Sequence, residues 1–132
     1  MGFKFGNRSL HRMDGVHEDI KRVAHRAIQI TKVDFGIPQY GGTRTEMEQN
    51  ELYLNDLSDA DGFTNKSYHQ TGNALDFYAL DPDTGEASWD HLLMTHIAAA
   101  FLQAACELGI TITWGGFWKT RLDMPHIQRE DT

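Results

Sequence analysis

The stretch Ser67-Tyr68-His69-Gln70-Thr71-Gly72-Asn73-Ala74-Leu75-Asp76 carries most of what this 132-residue sequence discloses. It sets an imidazole and a carboxylate seven residues apart, with the small residues Gly72 and Ala74 between them. Small residues let a backbone turn tightly and approach an ion. Asp76 also opens the apolar run Asp76-Phe77-Tyr78, where a buried carboxylate needs a partner. A cation is one such partner. A structural hydrogen bond accounts for the spacing equally well.

A second stretch lies near the end: Trp114-Gly115-Gly116-Phe117-Trp118, then Asp123-Met124-Pro125-His126. Pro125 biases Met124 toward extended backbone and argues against a helix here. In a regular strand, residues three apart point to opposite faces. Asp123 and His126 can therefore serve one site only if a turn or bulge intervenes. A solvated loop aspartate is the plain alternative, and the aromatic residues around Gly115-Gly116 suit a core corner or a cleft wall. Together the two stretches offer two histidines and a carboxylate for a metal, with Asp123 beside them. Three protein ligands of that kind leave a coordination position open, as catalytic zinc sites do and structural ones do not.

The chain bounds these readings. Lys and Arg number 12 against 19 Asp and Glu, for a net charge of −7. That balance argues against nucleic acid, which needs a basic face, and against adhesion to anionic lipid. The length suits one domain, residues 1–132, with a single core. Cys106 is the only cysteine, so no internal disulfide forms; its alanine-rich surroundings predict a small buried core residue. The segment Met1 to Arg8 lacks the apolar run of a Sec signal peptide. The most apolar stretch, Ile97 to Cys106, is too short to span a bilayer.

The spacing of Val16, Ile20, Val23, Ala24, Ala27 and Ile30 predicts a helix from Val16 to Thr31, with Asp14 as its N-cap and His17 and His25 on its flank. Asp34 to Tyr40 has weak strand character, with Pro38 marking an edge or bulge. Thr45-Glu46-Met47-Glu48 reads as a capping box opening a helix to about Leu54. Arg44 then projects from a strand-to-helix junction. Residues 55 to 66 form an acidic loop in which Leu57 and Tyr68 break EF-hand spacing. Ser88 is expected to cap a third helix that runs to about Leu108 and is ended by Gly109; its middle, Ile97 to Leu102, is apolar nearly all round and is placed in the core. His91 and His96 on it do not share a face. Ile110 to Trp114 alternates as a strand. The class is α+β: a single compact domain with a small, mainly antiparallel sheet packed with about three helices.

The combined pattern Ser67-x-His69-x-x-Gly72-x-Ala74-x-Asp76 and Asp123-x-x-His126 resembles the signature of zinc peptidases of the D-alanyl-D-alanine carboxypeptidase and VanY group. It is most similar to the single-domain L-alanyl-D-glutamate endopeptidases that tailed phages use as endolysins. Weaker likeness runs through Phe3-Lys4-Phe5-Gly6, Gly15-Val16-His17, Asp34-Phe35, Gly42-x-Arg44-Thr45, Gln49 and Tyr53. The resemblance implies a Hedgehog/DD-peptidase-like fold, with Zn2+ held by His69, Asp76 and His126. It implies that Asp123 is the general base, that Arg44 binds a substrate carboxylate or steadies an oxyanion, and that Ser67 and Gln49 touch substrate. Gln128 departs from the pattern, standing where many relatives carry an acidic residue.

The implied reaction is hydrolysis of the L-Ala–D-Glu bond in peptidoglycan stem peptides. Trimming of D-Ala–D-Ala by the same fold is the runner-up, and a non-catalytic zinc-containing wall-binding module is a third reading. Asp123 and Arg44 argue against the module, since binding alone needs neither a base nor an oxyanion partner. The implied setting is a monomer made in the host cytoplasm, released by a holin-like partner, and acting on the wall without stable membrane association. By analogy with modular lysins, a chain with no separate wall-binding domain suits a Gram-negative target.

Overall fold

The computed structural model describes residues 2–130. The chain runs α1 (Asn7–Arg12), α2 (Glu18–Ile30), β1 (Phe35–Gly36), α3 (Glu46–Leu54), β2 (Ala74–Asp76), β3 (Tyr78–Leu80), β4 (Ala87–Ser88), α4 (His91–Leu108), β5 (Ile112–Trp114) and β6 (His126–Arg129). Short 3-10 turns occupy Tyr68–Thr71 and Gly115–Phe117. The α+β class is as expected, but the strands form two sheets rather than one. Both are three-stranded and antiparallel, ordered β1-β3-β4 and β2-β6-β5. The chain changes sheet at Phe77, between the end of β2 and the start of β3. Phe77 is fully buried, and its N–H bonds to the Pro125 carbonyl at 3.0 Å.

The core forms where α2 crosses α4. Ile20, Val23, Ala24, Ala27 and Ile28 meet Met94, Ile97, Ala98, Phe101 and Ala104, and all are buried. Alanines on both helices allow close approach. Phe35, Phe77 and Phe101 carry this core onto the β1-β3-β4 sheet, with ring centroids 5.3 to 6.0 Å apart. Each fully buried ring contributes about 1.5–3 kcal/mol of transfer free energy. This apolar block is the platform behind the functional residues.

Helix boundaries show which local signals the fold uses. The Thr45 capping box forms as read: Glu48 N–H donates to Thr45 Oγ1 at 3.1 Å, and Thr45 N–H to Glu48 Oε1 at 2.8 Å. The cap of α2 is not Asp14. His17 takes that place, its Nδ1 accepting from the Asp19 N–H at 3.0 Å, while Asp14 sits in the preceding turn beside His11. That turn exists because α1 precedes it, a six-residue helix whose sequence, NRSLHR, has no apolar period to announce it. The cap of α4 is Asp90 rather than Ser88. Asp90 accepts from the Leu93 N–H at 3.1 Å, and Ser88 Oγ accepts from the Asp90 N–H. Gly109 ends α4 in the left-handed region, φ 69.

Two readings of α4 are corrected. Its apolar middle is not wholly core: Ala99 is exposed and Leu102 half-buried, on the side where Thr95, His96 and Gln103 also meet solvent. Cys106 is exposed, not core. Each helical residue turns the direction by about 100°, which carries position 106 past the edge of the stripe that Ala104 and Ala105 complete. Length and composition alone would let α4 cross a membrane, but Met94, Ile97, Ala98 and Phe101 are spent on the core.

Candidate metal centre

Sheet register supplies the first two donors. Asp76 on β2 is the partner of His126 on β6, and directly opposed residues of an antiparallel pair project to the same face. The third donor, His69, stands on the 3-10 turn before β2. Ser67 opens that turn, its Oγ accepting from the His69 N–H at 3.2 Å while its own N–H donates to Gln70 Oε1 at 2.8 Å. Gly72 closes the turn at φ 76, and a Cβ there would lie 2.5 Å from the Gly15 carbonyl oxygen. Conformation and contact both demand glycine.

The segment Gly41 to Arg44 is laid along these donors. Gly41 O accepts from the Asp76 N–H at 2.8 Å, and the Arg44 N–H donates to His69 O at 3.2 Å. Gly42 O lies 2.8 Å from His69 Nδ1. A Cβ on Gly42 would collide with the Arg12 carbonyl oxygen, so only glycine brings the strip this close.

The hydrogen bonds define the face each imidazole presents. A carbonyl oxygen only accepts, so His69 Nδ1 carries the proton and Nε2 is left with its lone pair. His126 is wired the other way: Nε2 lies 2.9 Å from Gln128 Oε1, and Nδ1 is left free. Both free nitrogens converge on one atom, Asp76 Oδ1, at 3.2 Å each. Donor atoms of His69, Asp76 and His126 lie within 4.8 Å of one another, and both imidazoles are buried. Two lone pairs facing a carboxylate oxygen repel unless a proton or a cation sits between them. The donor set therefore fits a metal ion, and two imidazoles with one carboxylate are ligands that zinc accepts.

The same proximity moves the titrations. Burial pushes the Asp76 carboxyl up, but His69 and His126 outweigh it and hold the group well below the usual carboxylate range. Burial pulls His126 down, and its contact with Asp76 more than reverses this, leaving it raised. Asp123 moves the other way from Asp76. Its burial and the Asp76 charge raise it, against opposition from His126, His69 and Arg44.

Asp123 enters through a turn, as Pro125 and the three-residue spacing required. The His126 N–H bonds to Asp123 O at 3.2 Å, and the Asp123 N–H to Gly115 O at 3.1 Å. Its Oδ2 is 3.8 Å from His126 Nδ1. Asp123 thus stands beside the three-donor group without being one of it.

Arg44 has a different place from a free substrate clamp. Its Nη2 donates to Asp76 Oδ2 at 3.1 Å, Nη1 to Gln49 Oε1 at 2.9 Å, and Nε to Tyr40 O at 2.7 Å. It holds the outer oxygen of Asp76, which turns Oδ1 toward the imidazoles. Gln49 cannot be a substrate contact: it is fully buried, and its Nε2 donates to Ser58 Oγ and Ala60 O at 2.8 Å each. It ties α3 and the acidic loop to Arg44. Ser67 caps the turn and also lines the cleft over the site.

That cleft encloses about 690 Å³ and is bordered by Tyr40, Tyr68, Trp89, Trp118, Arg121 and Leu122. None of these was singled out by the sequence as a cleft residue except Trp118. Tyr40 and Arg121 adopt left-handed backbone, φ 63 and 59, a feature no local motif announces.

Fold and site together define a hydrolase-type domain: an open cleft converging on buried metal-capable donors with a carboxylate at their side. The model of the phage L-alanyl-D-glutamate peptidase family matches residues 1–131, and the chain belongs to that family. It is 34% identical over 124 residues to the L-alanyl-D-glutamate peptidase of Escherichia phage T5, spanning 93% of this chain and 87% of that protein. The crystal structure of the Serratia marcescens L-Ala D-Glu endopeptidase ChiX superposes with a TM-score of 0.83 at 35% identity. The match covers 96% of this chain and 90% of that one.

Proposed function

We propose that this protein is a zinc-dependent endopeptidase that hydrolyses the L-Ala–D-Glu bond of peptidoglycan stem peptides and serves as a phage endolysin. The convergence of His69 Nε2 and His126 Nδ1 on Asp76 Oδ1, with Asp123 3.8 Å from that same His126 nitrogen, carries the reading. Zinc held by His69, Asp76 and His126 would supply Lewis acidity, lowering the pKa of a coordinated water to about 7 and polarising the scissile carbonyl.

The chain's own residues supply the rest. Asp123 accepts the proton of the attacking water as its oxygen bonds to the L-Ala carbonyl carbon. It returns that proton to the D-Glu nitrogen as the carbon–nitrogen bond breaks. A raised carboxyl suits the first half of this task, because its carboxylate is a stronger base than that of an ordinary aspartate and holds the proton until the leaving nitrogen, a far stronger base, takes it. Arg44 positions Asp76 and lines the cleft with N–H groups not spent on its three bonds, which suits it to a developing oxyanion. Ser67 keeps its hydroxyl hydrogen for a substrate acceptor, since its oxygen only accepts within the cap.

Family membership supports the phage setting and action on the wall; synthesis in the host cytoplasm, release by a holin-like partner and a monomeric state complete the proposal. The net charge of −7 supports the absence of a nucleic-acid partner.

Mass spectrometry of a peptidoglycan digest tests the reading. The expected products are glycan-linked peptides ending in L-Ala, and fragments beginning with D-Glu, with release abolished by a chelator and restored by zinc. Loss of terminal D-Ala alone would make the protein a carboxypeptidase. No product under any condition would leave a binding module.

A further inference from the structure

We infer that Arg121 is the specificity determinant that receives the free α-carboxylate of the D-Glu residue, with Asp59 holding its place until substrate arrives. The inference rests on the L-Ala–D-Glu reading. Two guanidinium groups line the cleft, Arg44 and Arg121. Arg44 is committed to Asp76, Gln49 and Tyr40. Arg121 is the contrasting case. Its side chain is 57% exposed, and its Nε lies 3.3 Å from Oδ2 of Asp59, itself 71% exposed. Among the described residues no acceptor takes a hydrogen bond from the Arg121 guanidinium, so its N–H fork is available. An ion pair this exposed contributes little and exchanges readily.

Position and chemistry then agree. Arg121 stands two residues before Asp123, on the loop that carries the proposed base. In a γ-linked D-Glu, the α-carboxylate is borne by the carbon attached to the scissile nitrogen. Asp123 is proposed to deliver its proton to that nitrogen, and Arg121 lines the same cleft two residues away, within the reach of a long side chain. The other ionised side chains around the cleft include Asp59, Asp76 and Asp123, and an anionic substrate entering such a field needs a cation to meet it. Arginine matches a carboxylate with two parallel hydrogen bonds. Its left-handed backbone, φ 59, is the kind of outlier that persists where the surroundings hold a residue for use.

The test compares two synthetic peptides containing L-Ala-γ-D-Glu, one with the α-carboxylate free and one with it converted to the carboxamide, on the zinc-loaded full chain. Arg121→Ala is expected to raise KM for the carboxylate peptide about ten-fold, with kcat nearly kept and a far smaller change for the carboxamide. Arg121→Lys should recover part of the loss. Asp59→Asn should lower KM for the carboxylate peptide, because the competing anion is gone; this variant leaves Arg121 in place should the first fold poorly. A KM change of equal size on both peptides, or none on either, overturns the assignment while leaving the proposed bond intact. Wild-type protein that cleaves neither peptide removes the proposed bond, and the role of Arg121 with it.

Discussion

Asp76 stands opposite His126 across the β2–β6 ladder, its Oδ1 3.2 Å from Nδ1. The pairing is set by register alone, and a one-residue slip would send one of the two to the other face. Leu75 and Ile127, the neighbouring register pair, are fully buried and prevent that slip. The core therefore positions two donors without either belonging to it, and leaves Asp123 on the turn before His126, 3.8 Å from its Nδ1.

The division of labour between donors and base makes Asp123→Asn the first variant to examine. The change keeps size and shape and removes the proton acceptor. Zinc content should be retained, while peptidoglycan cleavage falls by about 10²–10⁴-fold, the usual contribution of a general base. Metal analysis alongside the digest checks it. Loss of zinc in this variant would make Asp123 a ligand and reassign the site.

The sequence resemblance implies that Gln49 touches substrate, but in the fold it is a buried bracket, so its loss should act on stability. Gln49→Ala removes the partner of Arg44 Nη1, Ser58 Oγ and the Ala60 carbonyl in a half-buried region behind the cleft. The expected cost is about 1–3 kcal/mol in urea unfolding. Metal affinity should weaken too, because Arg44 no longer holds Asp76 firmly. A variant with wild-type stability and raised KM alone would return Gln49 to the substrate.

Which parts could be read without coordinates follows from the range of the interactions. The turn from Ser67 to Gly72, the Thr45 capping box and the turn before His126 are local, and their residue types announce them. The His69–Asp76–His126 group needed only the added fact that β2 pairs with β6. Arg44 and Gln49 are different. Their partners Asp76, Ser58 and Ala60 come from other segments, and no spacing encodes whether an arginine faces a ligand or a carboxylate behind it. The division into two sheets turns on the burial of the single residue Phe77. Asp14 and Ser88 were reasonable caps by type, but chain direction set by α1 and by the Ser88–Asp90 bond moved the caps to His17 and Asp90.

Gln128 stands where the sequence resemblance leads one to expect an acidic residue, and the structure shows what the amide does. Its oxygen lies 2.9 Å from His126 Nε2, and its Nε2 donates to Glu130 Oε1 at 2.9 Å. The carboxylate acts one residue removed, fixing which end of the amide meets the imidazole. Gln128→Ala should weaken zinc binding about 10–100-fold in a competitive chelator titration. Gln128→Glu should bind zinc more tightly than wild type, since a carboxylate makes the imidazole a stronger donor. Equal affinities in all three proteins would leave Gln128 with no orienting role.

Asp76 and His126 shift in opposite directions, and each favours folding in its own window. Asp76, held low, adds stability above the unfolded value of about 3.9, which is lost only in strong acid. His126 is raised above its ordinary 6.5. The charged imidazole therefore stabilises the fold fully below about pH 6.5, and that contribution disappears as pH rises through the folded value. Chelator-treated protein should accordingly show a Tm that falls over the interval opening at about pH 6.5 and running upward. A metal ion competes for the same lone pair, so the gain in Tm on adding zinc should grow across that interval. Thermal melts with chelator and with zinc over the series check both slopes. A Tm that rises with pH in chelator, or a zinc increment that shrinks, would place the critical proton somewhere other than between His126 and Asp76.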